Sequence, residues 1–284
     1  MLLRGAHLGL CIIGKNLRLR RIFRQDTGRS FIVAVDHGIR FGALKGIENP
    51  CVPIKAAREG GADAVIVTPA IARMIYQELG SMALIARVDG AATIIGPDIT
   101  DDDITSPVEE AISVGADGIV AFGYVGVEKE KLSLRKLSII ASKCFRYGIP
   151  LMAEMIPPEL SSRHYAKKKG EWDVNVDNLK LAVRVGAELG ADIIKTYYTG
   201  DPDSFKEVVK SSPVPILVLG GPPTDSVEDF LSMIRDSVEA GAKGAVIGRN
   251  VWQHSDPVSM VRALSDIVHR CVSVEEAMRW LKKG

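Results

Sequence analysis

Eight runs of consecutive apolar residues recur along the 284-residue chain, and stretches with helical spacing separate them. The runs are FIVAVDHG from Phe31, ADAVIVTP from Ala62, ALIARVDG from Ala83, GIVAFGYVG from Gly118, PLMAEMI from Pro150, ADIIKTYYTG from Ala191, VPILVLGG from Val214 and GAVIGRN from Gly244. Continuous rather than alternating hydrophobicity marks strands buried on both faces. Between them, LSLRKLSIIASKCFRYG, VDNLKLAVRVGAELG and SVEDFLSMIRDSVEAG space their apolar residues three and four apart, as helices with one dry face do. A phrase also repeats: GGADAVIVTP at Gly60, GADGIVAFGYVG at Gly115, GADIIKTYYTG at Gly190 and GAKGAVIGRN at Gly241. In each, a glycine ends a helix and a strand begins.

Strand and helix alternating eight times predicts an α/β fold, a closed (β/α)8 (TIM) barrel, with residues 1–284 forming a single domain. An open doubly wound sheet competes; the count of eight and the glycine-rich ends of the seventh and eighth strands favour the barrel. Within the N-terminal segment 1–29, GKNLRLRRIF reads as a short helix closing the barrel bottom, and SVEEAMRWLKKG as an extra C-terminal helix. The longest weakly patterned connection, PPELSSRHYAKKKGEWDVN, follows the fifth strand on the side where barrels build active sites, and reads as a mobile flap.

Lys195 breaks the pattern, because its ammonium sits inside a strand that is otherwise dry. Strand alternation groups it with Ile193 and Tyr197 on the lumen face, leaving Ile194 and Thr196 for the helices. A lumen lysine near a strand's C-terminal end lies on the floor of the active-site face. Desolvation there favours the uncharged amine, a nucleophile for ketones and aldehydes that forms a Schiff base. The alternative is a lysine that snorkels or pairs with a lumen carboxylate.

Glu154, on the same face of the fifth strand as Met152 and Ile156, is the candidate counter-ion or general acid/base. Asp36 and His37 end the first strand; Asp36 is placed to orient a substrate hydroxyl and His37 to supply a polar contact. Gly220 and Gly221 after the seventh strand, and Gly248 and Arg249 after the eighth, stand where barrels bind phosphate: glycine lets backbone N–H groups approach an anion and Arg249 adds charge. Tyr124, Tyr165, Tyr197 and Tyr198 are further proton-donor candidates, Tyr124 also a substrate contact. Asp36 and His37 have no HxxxH or paired-carboxylate partner, so no metal is expected.

Charge narrows the partners. With 36 basic and 35 acidic residues the net charge is +1, giving no electrostatic reason to expect nucleic acid or an anionic membrane. Cys11, Cys51, Cys144 and Cys271 lie far apart, in neither a zinc nor a disulfide pattern, which suits a reducing cytoplasm. The N-terminal apolar stretch is too short for a signal core, and no run reaches membrane-spanning length.

VAVDHG, GADIIKTYYTGD, PVPILVLGGPP and GAVIGRNVWQHSDPV together resemble the class I aldolase family of archaeal-type fructose-1,6-bisphosphate aldolases, aminodideoxyheptulosonate synthases and the phospho-autoinducer-2 thiolase. The resemblance runs from about Gly14 to the C-terminus. It implies Lys195 as the Schiff-base lysine, Asp36 as the substrate-positioning acid, and Gly220, Gly221, Gly248 and Arg249 as the phosphate site. It implies a small phosphorylated substrate, no cofactor (coenzyme A entering only as a co-substrate in a thiolase), and a homo-oligomer, often a ring. One departure matters. The aldolases and heptulosonate synthases carry a proton-donating tyrosine at the end of the fifth strand, where this chain has Ile156; the thiolase branch also lacks it. The expected activity is a metal-independent lyase acting through a lysine Schiff base. A transaldolase-type heptulosonate synthase, a coenzyme A-dependent thiolase and a non-catalytic phosphosugar-binding barrel are the alternatives.

Overall fold

The computed structural model describes residues 3–161, 174–221 and 226–282. Most of the predicted flap, including Tyr165, lies outside the described residues. The strands are β1 (Ser30–Ala34), β2 (Ala64–Val67), β3 (Ala83–Arg87), β4 (Gly118–Tyr124), β5 (Leu151–Ile156), β6 (Ile193–Thr196), β7 (Ile216–Leu219) and β8 (Gly244–Ile247). Each pairs in parallel with the next and β8 closes on β1, so the sheet is a barrel. The helices up to β5 are α1 (Leu3–Ile22), α2 (Gly38–Phe41), α3 (Cys51–Gly60), α4 (Pro69–Ile75), α5 (Val108–Ser113) and α6 (Glu130–Tyr147). Those after it are α7 (Pro158–Ser161), α8 (Val176–Glu188), α9 (Pro202–Ser211), α10 (Val227–Glu239), α11 (Arg249–Trp252), α12 (Pro257–Arg270) and α13 (Val274–Leu281).

Strand alternation sorts the core into two layers. Ile32, Ile66, Ile85, Val120, Met152, Ile193, Leu217 and Val246 fill the lumen, while the neighbouring positions pack under the helices. Ile22, at the end of α1 and fully buried, plugs the lumen from below, with Leu19 and Phe23 beside it. Truncating such a plug to alanine costs about 2–5 kcal/mol. The helix starts are chemically specified: Asn175, Asp201, Ser226, Asp256 and Ser273 each accept a first-turn N–H.

The repeated Gly-Ala-Asp phrase has a structural meaning. Asp63, Asp117 and Asp192 precede β2, β4 and β6, and each clamps the start of the strand before it. Their Oδ2 atoms accept the N–H groups of Phe31 (2.7 Å), Leu84 (3.2 Å) and Leu151 (2.9 Å). Their own N–H groups donate to the same residues' carbonyls. Each Oδ1 then takes a cation from α1 or the turn after it: Arg24 (2.5 Å), Arg21 (2.8 Å) and Lys15 (2.8 Å). The basic run that reads as a short helix is thus the end of a longer one, pinned beneath three quarters of the barrel. In the fourth quarter the phrase is Gly-Ala-Lys, and Lys243 keeps only the backbone bond, to Ile216.

Candidate active site

β5 and β6 place Glu154 directly beside Lys195, and Glu154 Oε1 lies 2.9 Å from Lys195 Nζ. Both side chains are buried, at 1% and 7% exposure. The amine therefore has a counter-ion, the pairing with Glu154 that the lumen face of β5 offered beside the uncharged alternative. Open space remains above the pair: a cleft lined by Asp36, His37, Arg87, Glu154, Lys195, Gly220, Gly221, Gly248 and Arg249. The structure thus gathers Lys195, Glu154 and Asp36 and all of the predicted phosphate-binding residues around one opening.

Arg87, from β3, organises this floor. Its Nε donates to Asp36 Oδ2 at 2.8 Å, its Nη1 to Asp89 Oδ1 at 3.2 Å, and its Nη2 to Glu154 Oε2. Burial disfavours a guanidinium charge, but the three carboxylates outweigh that and hold Arg87 cationic. Burial likewise pushes the Asp36 carboxyl up, and Arg87 and Lys195 more than reverse it, so Asp36 titrates below the ordinary aspartate range.

A second buried cluster stands behind the first. Asp89 Oδ2 accepts Lys136 Nζ and the Phe122 N–H, both at 2.6 Å. Lys136 also reaches Asp102 at 3.0 Å, and Asp102 pairs with Arg40 at 2.6 Å. Asp102 Oδ1 accepts the Gly90 and Ala91 N–H groups, which ties down the long β3–α5 connection. The Phe122 ring lies between the Arg87 and Arg40 guanidinium carbons, 3.9 and 4.1 Å from its centre. Burial and the proximity of Asp102 raise the Asp89 carboxyl despite Lys136, whereas Lys136 and Arg40 lower that of Asp102 against its burial.

His37 follows β1 and packs edge-on to Trp252, with ring centres 5.3 Å apart. Burial drives its pKa down to about 4 against the pull of Asp36, so the ring is neutral at pH 7. Its Nδ1 lies 3.6 Å from Asp36 Oδ1, beyond hydrogen-bond reach, and has no partner. Gly248 makes this placement possible: a Cβ there would sit 2.5 Å from His37 Cε1 and 3.0 Å from the Ala34 carbonyl. The β7 and β8 ends are tied together, because Asn250 Nδ2 donates to the Gly220 carbonyl at 3.1 Å.

The tyrosines go elsewhere. Tyr124 is fully buried, its hydroxyl bonded to Arg40 at 3.0 Å, and does not line the Lys195 cleft. β6 ends at Thr196, so alternation lapses; Tyr197 joins Tyr198 on a neighbouring cleft of about 330 Å³ that shares Gly220 and Gly221. Ile156 is buried and offers no hydroxyl, leaving Glu154 as the ionisable group that β5 presents to Lys195.

The sequence reading passed over Arg87, Asp89, Asp102, Lys136 and Arg40. Two signals were present. Arg87 shares the lumen face with Ala83 and Ile85, by the same alternation that singles out Lys195. Lys136 lies on the buried face of α6 with Ser133, Leu137, Ile140 and Cys144. Asp102, within DDDIT, carries no such signal. Among the described residues, no group of three or more His, Cys, Asp or Glu side chains is placed to hold a metal ion. No described helix is long and apolar enough to cross a membrane.

Comparison with known proteins finds relatives of this chain. An uncharacterized aldolase of Saccharolobus solfataricus is 35% identical over 283 residues, covering 95% of this chain and all of that protein. The 2-amino-3,7-dideoxy-D-threo-hept-6-ulosonate synthase of Halobacterium salinarum is 36% identical, covering 93% of this chain and 95% of its own. Among solved structures, a Schiff-base-forming fructose-1,6-bisphosphate aldolase is 35% identical with a TM-score of 0.77, covering 89% of this chain and 98% of that one. Residues 30–254 match the DeoC/LacD aldolase domain, and these span most of the barrel. The chain belongs to the DeoC/LacD family of aldolases.

Proposed function

We propose that this aldolase acts through a Schiff base between Lys195 and the keto carbon of a small phosphorylated ketose or keto compound. The observation that carries this reading is the Lys195–Glu154 pair at 2.9 Å beneath a cleft rimmed by Gly220, Gly221, Gly248 and Arg249. Glu154 takes a proton from the Lys195 ammonium. The freed amine adds to the carbonyl carbon, and Glu154 returns the proton to the carbonyl oxygen, giving a carbinolamine. Loss of its hydroxyl as water leaves the iminium, which accepts the electron pair of the breaking C–C bond. Glu154 then takes the proton of the substrate hydroxyl that becomes the released aldehyde, in place of the tyrosine that Ile156 replaces. Asp36, kept ionised by Arg87, positions a substrate hydroxyl. Arg249 and the glycine N–H groups hold the phosphate. No metal or coenzyme enters these steps.

The test is reductive trapping. With dihydroxyacetone phosphate and borohydride, the peptide containing Lys195 gains the mass of the reduced adduct; no adduct on that peptide discards the mechanism. A transfer reaction is the second reading: the 36% identity to a heptulosonate synthase supports one form of it, and Ile156 supports the thiolase form. Turnover of a donor only when an acceptor aldehyde is present selects it, and turnover only with coenzyme A selects a thiolase.

A further inference from the structure

We propose that Arg87 is a positioning residue for imine formation: it holds one Glu154 oxygen so that the other stays on Lys195, and it holds Asp36 across the cleft. This rests on the Schiff-base reading above. The geometry is divergent by construction. One planar guanidinium, 1% exposed, spends its three kinds of N–H on Asp36, Asp89 and Glu154. A guanidinium can do this because its donors lie in one rigid fork, whereas an ammonium is a point charge. The fork is itself fixed. The Phe122 ring covers its face, and Asp89 anchors its back edge while held by Lys136 and the Phe122 N–H.

The charges explain what Arg87 does beyond packing. Four cations, Lys195, Arg87, Lys136 and Arg40, face four carboxylates, Glu154, Asp36, Asp89 and Asp102. Glu154 is faced by Lys195 from β6, by Arg87 from β3 and Asp89 just after it, by Asp36 and His37 after β1, and by Arg249 after β8. Without Arg87, Glu154 and Asp36 share Lys195 as their nearest cation. Two carboxylates sharing one cation then compete for it, and one of them takes up a proton more readily. A protonated Glu154 cannot deprotonate the Lys195 ammonium, so imine formation slows as pH falls. A space-filling Arg87 would leave the pH dependence alone.

The experiment follows the rate of cyanoborohydride trapping of dihydroxyacetone phosphate on Lys195 against pH. It compares the native enzyme with Arg87→Met, Arg87→Lys, Glu154→Gln and the Arg87→Met/Glu154→Gln double variant. In Arg87→Met the acid limb of the profile moves up by a pH unit or more, and trapping at pH 7 falls at least tenfold at saturating ligand. Arg87→Lys recovers part of the rate. On the Glu154→Gln background, Arg87→Met has no further effect on trapping, because Glu154, the residue through which it acts on imine formation, is already disabled. Should Arg87→Met not fold, Arg87→Lys carries the same readout, as one ammonium cannot satisfy three carboxylates. An unshifted profile in the folded Arg87 variants, or losses that multiply in the double variant, overturns the proposal and leaves the Schiff-base reading standing. No trapping in the native enzyme discards both.

Discussion

At the bottom of the barrel Asp63, Asp117 and Asp192 each hold the first N–H of a neighbouring strand and one cation of their own; at the top, Asp36, Glu154 and Asp89 converge on a single guanidinium. The bottom carboxylates are satisfied separately. Each bonds a backbone donor that would otherwise be left unpaired at a strand end, so each contributes to stability locally. The top carboxylates are satisfied jointly, deep in the protein, where desolvation offsets most of the attraction between charges. A buried cluster of that kind is weak evidence for stability. Its arrangement makes sense as chemistry: it keeps ionised groups fixed around an amine, beneath an opening. In the proposed mechanism, the same residue types thus serve folding at one end and reaction at the other. What separates them is that each bottom carboxylate has a cation of its own, while the top three share Arg87.

Substitutions at the two ends should therefore fail in different ways. Lys195→Met should reduce turnover and adduct formation to background while the barrel stays folded, since Glu154 keeps Arg87 as a partner; circular dichroism and trapping measured together check this. Glu154→Gln should lower kcat by about 10²- to 10⁴-fold, the range for loss of a general acid/base, with a small change in melting temperature. A variant that traps substrate at the native rate would remove Glu154 from the mechanism.

Asp63→Asn should do the opposite. It leaves Arg24 and the His269 contact uncompensated beneath the barrel, and should cost roughly 2–3 kcal/mol in chemical denaturation with specific activity per folded molecule unchanged. His37 tests the top by pH. Above its unfolded value near 6.5 the ring is neutral in both states. As pH falls toward 4 the unfolded chain binds a proton that the folded one refuses, so stability declines across that window. For a ring that keeps 18% exposure the loss is about 2 kcal/mol, and His37→Gln should flatten that part of the stability profile. The smallest effect belongs to Arg21→Ala at the bottom: Arg21 is 64% exposed, and its pair with Asp117 should contribute under about 0.5 kcal/mol.

Much of the site was legible because strand physics is simple. Alternation places Lys195 and Glu154 in the lumen, and the glycine-rich ends of β7 and β8 rim the same cleft, where the proposal puts the phosphate. Arg87 was legible by the same rule and was passed over, since ARVDG reads as an apolar run with a charged end. Tyr197 shows where the rule stops: once β6 ends, two-residue periodicity no longer assigns a face. Asp102 and Arg40 lie in the connections after β3 and β1, where nothing in the local pattern distinguishes a buried charge from a solvated one.

The sequence by itself determined the order of strands and helices, the closed barrel they form, and which lysine is singled out. Those follow from local periodicity, which every residue in a strand or helix obeys independently of distant partners. Only the tertiary structure decided that Lys195 is paired, that one arginine joins three carboxylates from β5 and the segments after β1 and β3, and that the repeated aspartates hold α1 beneath the barrel. Apart from Arg87 and Asp89, which are two residues apart, these pairs join groups far apart along the chain, and electrostatic pairing depends on distance in space, which periodicity does not encode.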